Sequence, residues 1–462
     1  MPPYPLEPGG AEFGKMVEAA VDLIGRFVDG LADAPASDLD LLDPVLELVG
    51  EGPGQAGRPL EELLDTVERA AAKGFETAGP GYLAFVPAGG LLSAALADLV
   101  ACALNRFTGL AGPAPGLVAL EASVLRWMCD QFDLPAGAAG LLTSGGSLAN
   151  LTALVAARAS RLGEDFQRGT LYASPQAHHS VAKAARLAGF PPSAVRAVPC
   201  TADLRMDLDA LASTVDADRK AGRLPFLLVG SGGTTNTGTV DPLTGMVEMA
   251  RRFGLWLHVD AAYGGFFQLT DRGRRQLRGI EGADSIALDP HKGLFLPYGT
   301  GALLVRDGEH LRAAHSGVAP KGDYMQDIVA LRGVQDFADY GPELSRDFRG
   351  LRVWLPLHLH GVAAFRAALD EKLDLARHAY GALSATDGLE VPWPPDLSIV
   401  AFRAGGGDED TRRLLKTVNA TRRVLLSSTG IEGRRYVRMA ILSFRTHLDR
   451  VEEAVELIRG AL

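Results

Sequence analysis

The sequence T-S-G-G-S at residues 143–147 lies between an apolar run typical of a strand and a pattern typical of a helix. Small residues at this place let backbone N–H groups approach an anion at the positive end of the helix. The sequence matches neither the Gly-Lys-Ser/Thr phosphate loop nor the G-x-G-x-x-G dinucleotide pattern. We interpret it either as an anion-binding loop or as an ordinary turn in which Ser147 caps the helix.

Two charged residues follow other apolar runs, at the edge of the sheet where open α/β proteins bind ligands. Asp260 ends the run in H-V-D-A-A-Y, where a carboxylate can hold a cation or a protonated ring nitrogen and the alanines leave room for a flat group. Lys292, one of eight lysines, follows a further run in D-P-H-K-G. Apolar walls and a neighbouring cation make a lysine amine a nucleophile towards carbonyls. The alternatives are an aspartate that caps the next turn and a His-Lys pair at the surface.

A histidine, His178, follows another apolar run in Q-A-H-H-S. Such a side chain can lie flat on an aromatic ring or transfer a proton, and an ordinary hydrogen-bonded histidine is the alternative. The order of anion loop, histidine, strand-terminal aspartate and lysine predicts a phosphate cradle, a stacking group, an anion for a pyridine nitrogen and a Schiff-base lysine. Together these groups indicate a pyridoxal phosphate site.

The elements that must position these residues alternate short apolar runs with longer helical patterns, which is typical of a mainly parallel α/β sheet. The last two runs follow each other closely, so part of the sheet is expected to be antiparallel. Seven runs predict strands at residues 140–143, 170–173, 195–198, 226–229, 255–259, 285–288 and 302–305. Helical patterns predict helices at residues 148–161, 181–187, 208–221 and 243–253.

Three regions are expected along the chain. Residues 1–84 form an N-terminal helical arm that takes part in dimerisation, residues 85–352 the large cofactor-binding domain, and residues 353–462 a smaller α+β domain. The arm has helical spacing over residues 13–31 and 60–72. The smaller domain has a long helical pattern over 352–383, strands near 397–402 and 436–442, and a final helix at 449–458.

The composition excludes several classes of protein. The chain has 462 residues and a formal net charge of −10, which opposes binding to a nucleic-acid backbone. Its three cysteines have no metal-binding spacing, so we expect no metal site and a reduced compartment. Glu7 and Glu12 stand where a secretory signal needs basic residues, and no apolar run is long enough to span a membrane. We expect a cytoplasmic protein without membrane or nucleic-acid partners.

In these residues and their order, the chain resembles the group II pyridoxal-phosphate-dependent amino acid decarboxylases. The resemblance extends from about residue 80 to the C-terminus. It implies the α/β architecture of fold-type-I enzymes and a homodimer with its active sites at the interface. Five motifs carry it: T-S-G-G-S-x-A-N-L (143–151), Y-A-S-x-Q-A-H (172–178), G-T-T-x-T-G-x-x-D (233–241), H-V-D-A-A-Y (258–263) and A-D-S-x-x-x-D-P-H-K (283–292).

The resemblance implies a role for each cofactor-binding residue. Lys292 would form the Schiff base, Asp260 would hold the pyridine nitrogen protonated, and His178 and Ala262 would contact the two faces of the ring. The remaining cofactor contacts would come from Gly146 and Ser147 at the phosphate, from His291 nearby, from Thr235, and from Asp289, which stands where the family often has asparagine. A carboxylate beside a phosphate is unfavourable unless it turns away or takes up a proton.

The resemblance also implies residues for substrate and proton transfer. A tyrosine on a mobile loop would protonate the substrate's Cα across the dimer. Tyr340 is the best match for this tyrosine, and Tyr324 is its rival. The alternative for Tyr340 is a packed aromatic side chain without a catalytic role. Leu148, Gly293 and Ala88 depart from the family pattern near the pocket. The residues expected to line the substrate pocket of the neighbouring subunit are Phe85, Val86, Pro87 and Phe107.

The leading interpretation is decarboxylation of an L-amino acid, preferably aromatic, to an amine and carbon dioxide. An acidic substrate would need a cation in the pocket. We locate none there, unless Arg106 or Arg349 supplies it. The alternative is an oxygen-consuming aldehyde synthase, against which Tyr340 and His178 argue and which His179 keeps open. A non-catalytic scaffold is disfavoured because Lys292 and Asp260 are retained. A transaminase or carbon–carbon lyase is disfavoured by the Tyr340 loop and the Q-A-H sequence.

Overall fold

The computed structural model describes residues 6–316, 325, 327, 331 and 333–462. Tyr324 lies outside the described residues. The α-helices are α1 (Gly10–Gly30), α2 (Asp43–Val49), α3 (Leu60–Ala71), α4 (Leu92–Leu104), α5 (Pro115–Gln131), α6 (Gly146–Arg161), α7 (Ser180–Leu187), α8 (Leu208–Lys220), α9 (Leu243–Phe253), α10 (Asp271–Gln276), α11 (Pro290–Gly293), α12 (Gly308–His315), α13 (Gly350–His360), α14 (Val362–Ser384), α15 (Asp408–Ala420) and α16 (Leu448–Gly460). The β-strands are β1 (Ser37–Asp38), β2 (Gly74–Phe75), β3 (Ala139–Thr143), β4 (Gly169–Ala173), β5 (Val195–Ala197), β6 (Leu224–Ser231), β7 (Trp256–Asp260), β8 (Ser285–Leu288), β9 (Gly301–Val305), β10 (Leu389–Glu390), β11 (Ile399–Ala404), β12 (Ser427–Ile431) and β13 (Arg434–Ala440).

A seven-stranded sheet in the order β3-β9-β8-β7-β6-β4-β5 forms the centre of the large region. Strand β9 runs antiparallel to both neighbours, and the other pairs are parallel. This confirms the predicted α/β fold and the antiparallel part of the sheet. Strands buried on both faces are mostly apolar, as β9 is along its whole length; β7 is also fully buried but carries His258 and Asp260. The carboxyl ends of β4, β6, β7 and β8 therefore meet at one edge, where their loops can build a site.

A smaller antiparallel sheet, in the order β10-β11-β13-β12, lies in the C-terminal region, as predicted. The predicted long helix over residues 352–383 is two helices, α13 and α14. The chain breaks at Gly361, whose φ of 74° favours glycine, whereas Pro356 lies inside α13. Strand β12 and helix α15 have no counterpart among the predicted elements.

The N-terminal region contains the two predicted arm helices, α1 and α3, and the additional helix α2. Helix α1 buries none of its residues within this chain. The segment that ends the arm pairs with the smaller sheet, because Leu83 accepts a hydrogen bond from the Ala440 amide and donates one to the Leu425 carbonyl. The domain limits stay a prediction. Within the described ranges, no helix is long and apolar enough to cross a membrane.

Candidate active site

A cavity of about 340 Å³ opens at the carboxyl edge of the large sheet. The loops after β3, β4, β6, β7 and β8 all contribute to it. Most of the residues predicted from the sequence to bind a cofactor or substrate meet here. Those that line the cavity are Pro87, Gly146, Ser147, His178, Thr235, Asp260, Ala262, Asp289, His291 and Lys292.

The first turn of α6 forms one wall. Gly145 precedes the helix with a φ of 155°, a conformation that side chains disfavour, and no side chain caps the helix. Ser147 is thus one residue inside α6, and the alternative interpretation of it as the cap is wrong. A Cβ on Gly146 would lie 3.0 Å from Ala262 Cβ and 3.1 Å from Asp289 Oδ2. The Leu148 amide bonds to the Gly145 carbonyl at 3.0 Å, but the amides of Gly146 and Ser147 have no preceding turn to bond to, so they can hold an anion.

Asp260 lies at the base of the cavity and is 9% exposed. Its Oδ2 accepts a hydrogen bond of 2.8 Å from Asn150 Nδ2, and its Oδ1 accepts one of 3.2 Å from the Ala262 amide. Asn150 belongs to α6, one helical turn after Gly146, so the same helix presents the anion cradle and orients the carboxylate. The arrangement can hold a protonated ring nitrogen.

The hydrogen bonds behind Asp260 have one possible direction. Because a carboxylate only accepts, the Asn150 atom facing Asp260 must be the amide nitrogen, and Asn150 Oδ1 must accept from His258 Nε2 at 2.9 Å. His258 Nδ1 then accepts from the Ser285 hydroxyl at 2.8 Å, and that hydroxyl oxygen accepts from Trp256 Nε1. Burial lowers the pKa of His258 to about 4, so the histidine is neutral, as this direction requires.

A branch of the same network positions His178. The Ser180 hydroxyl accepts from Asn150 Nδ2 at 2.8 Å and donates to His178 Nδ1 at 2.8 Å, which leaves the His178 proton on Nε2. Burial lowers the pKa of His178, against the opposing effect of Asp260, so the ring is neutral at neutral pH. A neutral imidazole is suited to stacking on an aromatic ring.

Sequence reasoning missed Asn150, Ser180 and His258 as members of the site. A signal was present for two of them. His258 precedes Asp260 by two residues on a strand, which puts both side chains on one face of the sheet. Asn150 follows Gly146 by four residues on a helix, which puts both on one face of α6.

Lys292 and His291 lie on the short helix α11 with Asp289 just before it. Lys292 Nζ is 2.8 Å from Asp289 Oδ2, and His291 Nε2 is 3.6 Å from the same oxygen. His291 Nδ1 lies 2.8 Å from the Thr300 carbonyl oxygen and donates to it. Asp289 is 2% exposed, and its Oδ1 is buried without a hydrogen-bond partner.

A buried arginine positions the Thr235 loop. Arg438, on β13, is 4% exposed and donates to the carbonyl oxygens of Thr235 at 2.6 Å, Asn236 at 2.9 Å and Ala84 at 3.2 Å. These bonds tie the loop after β6 to the smaller sheet and to the segment that precedes Pro87. The smaller sheet therefore supports the Thr235 loop from behind, while the residues that line the cavity all lie between positions 87 and 292.

Three predicted substrate-pocket residues do not line the cavity of their own chain. Phe85 is 46% exposed and stacks on Phe75, with ring centroids 6.5 Å apart. Val86 is buried in the core of the large region, and Phe107 is half-buried. The expectation that they line the substrate pocket of a neighbouring subunit stays a prediction.

Tyr340 does not line the cavity either. It is half-buried against the core of the large region, and burial, together with the charge of Glu309, raises the pKa of its hydroxyl. Of the two arginines considered for an acidic substrate, Arg349 pairs with Glu343 at 3.1 Å and Arg106 is exposed; neither lines the cavity.

The described residues fit pyridoxal phosphate. The uncapped turn of α6 with Gly145 and Gly146 leaves space for a phosphate, Asp260 is oriented for a ring nitrogen, and Lys292 Nζ faces the cavity. The unpartnered Asp289 Oδ1 is a polar atom that a bound group would satisfy. Among the described residues, no cluster of His, Cys, Asp or Glu could hold a metal ion.

Known proteins resemble this chain in sequence and in structure. Residues 47–405 match the family model of the pyridoxal-dependent decarboxylase conserved domain. An aromatic-L-amino-acid decarboxylase of Bacillus atrophaeus is 32% identical over 98% of this chain and 96% of its own length. A phenylacetaldehyde synthase of Petunia hybrida is 29% identical over 87% and 84%. A crystal structure of Oryza sativa TDC with PLP and tryptamine superposes with a TM-score of 0.92 at 28% identity, covering 99% of this chain and 98% of that one.

Proposed function

Because the chain belongs to the pyridoxal-dependent decarboxylase family, we propose that it decarboxylates an L-amino acid, preferably an aromatic one, to the amine and carbon dioxide. The protein is a pyridoxal-phosphate-dependent carboxy-lyase of fold type I. The observation that carries the proposal is the meeting of Lys292, Asp260 and His178 with the first turn of α6 around one cavity.

Asp260 and the groups behind it set the charge of the site. Pyridoxal phosphate, when bound, withdraws electrons from the substrate's Cα and stabilises the charge left there when a bond breaks. Asp260 would hold the proton on the ring nitrogen, and Asn150 fixes the carboxylate by donating to its Oδ2. Without that anion the nitrogen would lose its proton and the electron withdrawal would weaken.

The other predicted residues position the reactants. Lys292 would anchor the cofactor through its amine and yield that place to the substrate amine. The neutral ring of His178 and the small Ala262 would contact the two ring faces, so that the substrate's carboxylate bond is held perpendicular to the ring. The first amides of α6, with Ser147 and Thr235 at the cavity wall, would bind the phosphate.

A second copy of this chain is proposed to complete the site. Apolar side chains of the N-terminal arm and of α4 are exposed in the single chain, and Phe85 is exposed beside them. A second subunit would bury these surfaces and place Phe85, Val86 and Phe107 near its neighbour's cavity, which supports the aromatic preference. A mass in solution of 48.8 kDa, that of one chain, would contradict the dimer. The exposed side chains include Phe13, Met16, Val21, Ile24, Phe27, Leu92, Leu96, Leu99, Val100 and Leu104.

The experiment that tests this function is a product survey by mass spectrometry. The purified protein, with pyridoxal phosphate, is given a pool of aromatic, acidic, basic and aliphatic L-amino acids in air. We expect amines from the aromatic members. Amines from other members alone would contradict the aromatic preference, and the absence of every amine would contradict decarboxylation to an amine.

The second candidate is oxidative conversion to an aldehyde, ammonia and hydrogen peroxide. The similarity to the Petunia phenylacetaldehyde synthase favours keeping it, as does the ring of His179, whose centroid is 4.1 Å from that of His178. Aldehyde and peroxide in the product survey, in place of amine, would support this candidate.

The tyrosine that protonates Cα is proposed to act across the dimer. Because the Tyr340 ring is half-buried against the core of its own subunit, we favour the rival Tyr324. We expect Tyr324→Phe to lower amine formation by about 10²- to 10⁴-fold and to raise the share of aldehyde, while Tyr340→Phe, its matched control, changes amine formation little. Amine formation by each variant is measured with the substrate found in the survey.

The reverse pattern, with the loss confined to Tyr340→Phe, would restore the original assignment of Tyr340. Mixing the defective tyrosine variant with Lys292→Ala tests the subunit arrangement. Hybrid dimers with one intact site should recover part of the amine formation, and no recovery would contradict action across the dimer.

A further inference from the structure

We propose that Asp289 binds the cofactor's phosphate through one shared proton, so that this protein takes up a proton from solvent when it binds pyridoxal phosphate. The inference rests on the assigned cofactor and does not depend on which amino acid is decarboxylated. Its basis is the position, burial and unsatisfied oxygen of this carboxylate.

Asp289 faces the place where the phosphate is expected. Its Oδ2 would lie 3.1 Å from a Cβ on Gly146, and its Oδ1 3.9 Å from a Cβ on Gly145, so the carboxylate borders the first turn of α6. That turn, which opens a helix of 16 residues, has no side-chain cap. The Oδ1 atom is buried and has no partner, although a buried carboxylate oxygen normally accepts a hydrogen bond.

The charges around Asp289 do not balance an added dianion. Lys292 is the cation in contact with it, and Arg352, whose charge acts on His291, already pairs with Asp98 at 2.6 Å. Burial lowers the pKa values of His291 and His178, which keeps both rings neutral. The titratable or charged groups that face Asp289 or its neighbours are Lys292 and His291 on its own turn, His178, Asp260 and Tyr263 across the cavity, and Arg352 on α13.

The hydrogen bonds at His291 also leave room for one more proton. Because His291 Nδ1 donates to the Thr300 carbonyl, the neutral ring turns an unprotonated Nε2 towards Asp289 Oδ2, 3.6 Å away. Asp289 therefore faces an acceptor on one side and the phosphate position on the other. A proton on the carboxyl group lets it donate to a phosphate oxygen, which removes one like-charge repulsion.

The test counts protons by calorimetry. The full-length chain, freed of cofactor, is titrated with pyridoxal phosphate at pH 8 in two buffers of different ionisation heat. At this pH the free phosphate is a dianion, because its second pKa is about 6. We expect the wild type to take up about one proton more than Asp289→Asn, whose amide donates to the phosphate without titrating.

Pyridoxal, which lacks the phosphate, is the matched probe. We expect its proton uptake to be equal in the wild type and in Asp289→Asn. Equal uptake with pyridoxal phosphate would overturn the role of Asp289, and an excess that is the same with pyridoxal would assign the proton to another group. Failure of the wild type to bind pyridoxal phosphate would instead contradict the cofactor assignment.

A second measurement needs only the wild type, so it covers the case in which the variant folds poorly. Equilibrium dialysis of the wild type should show that the affinity for pyridoxal phosphate falls as pH rises above 7, by up to about tenfold per pH unit, relative to the affinity for pyridoxal. The sign follows because the proton needed for binding becomes scarcer as pH rises. A pH-independent ratio of the two affinities would overturn the proposal.

Discussion

Lys292→Ala should lower amine formation by about four to six orders of magnitude, the range observed when an enzyme loses a covalent or proton-transferring side chain. Lys292 is the lysine whose amine lies in the cavity, 2.8 Å from Asp289 and near the first turn of α6. Alanine removes the amine that we propose as the anchor of the cofactor, and it leaves Asp289 without the cation in contact with it. Turnover is measured by mass spectrometry, and cofactor retention by absorbance after dialysis.

The matched control is Lys183→Ala, on the exposed face of α7. It removes the same side chain near the site without changing the cavity, so its turnover should remain close to that of the wild type. If Lys292→Ala retained more than about a hundredth of wild-type turnover, covalent attachment through this lysine would be wrong.

Glu121→Ala should destabilise the protein by about 3–5 kcal/mol, because it leaves a buried arginine without its carboxylate. Glu121, on α5, and Arg346 have fully buried side chains joined at 2.6 Å, and Glu121 Oε2 also accepts from the Gly350 amide. The pair holds the start of α13 against α5. Denaturant unfolding of the cofactor-loaded protein measures the effect.

The control for this ion pair is Glu309→Ala, which removes an exposed partner of Arg312 on α12. Exposed pairs are screened by solvent and contribute little to stability, so this variant should unfold close to the wild type. Equal unfolding midpoints for Glu121→Ala and Glu309→Ala would mean that burial adds nothing to this interaction.

The large sheet could be predicted from the sequence because its strands are buried on both faces and therefore appear as continuous apolar runs. No predicted strand boundary in that sheet differs from the observed one by more than two residues. Strand β12, with the sequence S-S-T-G-I, lacks such a run, and α15 buries only Thr411, Leu414 and Val418. Both elements form because they pack against β13 and β11. Contacts between segments that are distant along the chain leave no pattern in the local sequence.

The site was predictable where one residue's chemistry suffices, and less so where it depends on contacts between elements. Asp260 and Lys292 follow strands and could be assigned from position. The role of Asn150 appears only when α6 packs on β7, and the packing of Tyr340 depends on how the chain before α13 folds back on the core. The approach of Asp289 to Gly146 likewise depends on how the chain before α11 packs against α6.

The hydrogen bonds behind Asp260 have one direction, and this makes the orientation of the Asn150 amide independent of pH in the neutral range. Because His258 has a pKa of about 4, it keeps one donor and one acceptor nitrogen throughout the neutral range, and the Asn150 amide cannot turn over. Asp260 therefore always faces an N–H. The hydrogen bonds that Asp260 accepts from Asn150 and Ala262 thus keep the same donors across the neutral range. A pH-rate curve of this protein should consequently show no inflection from His258 in the neutral range.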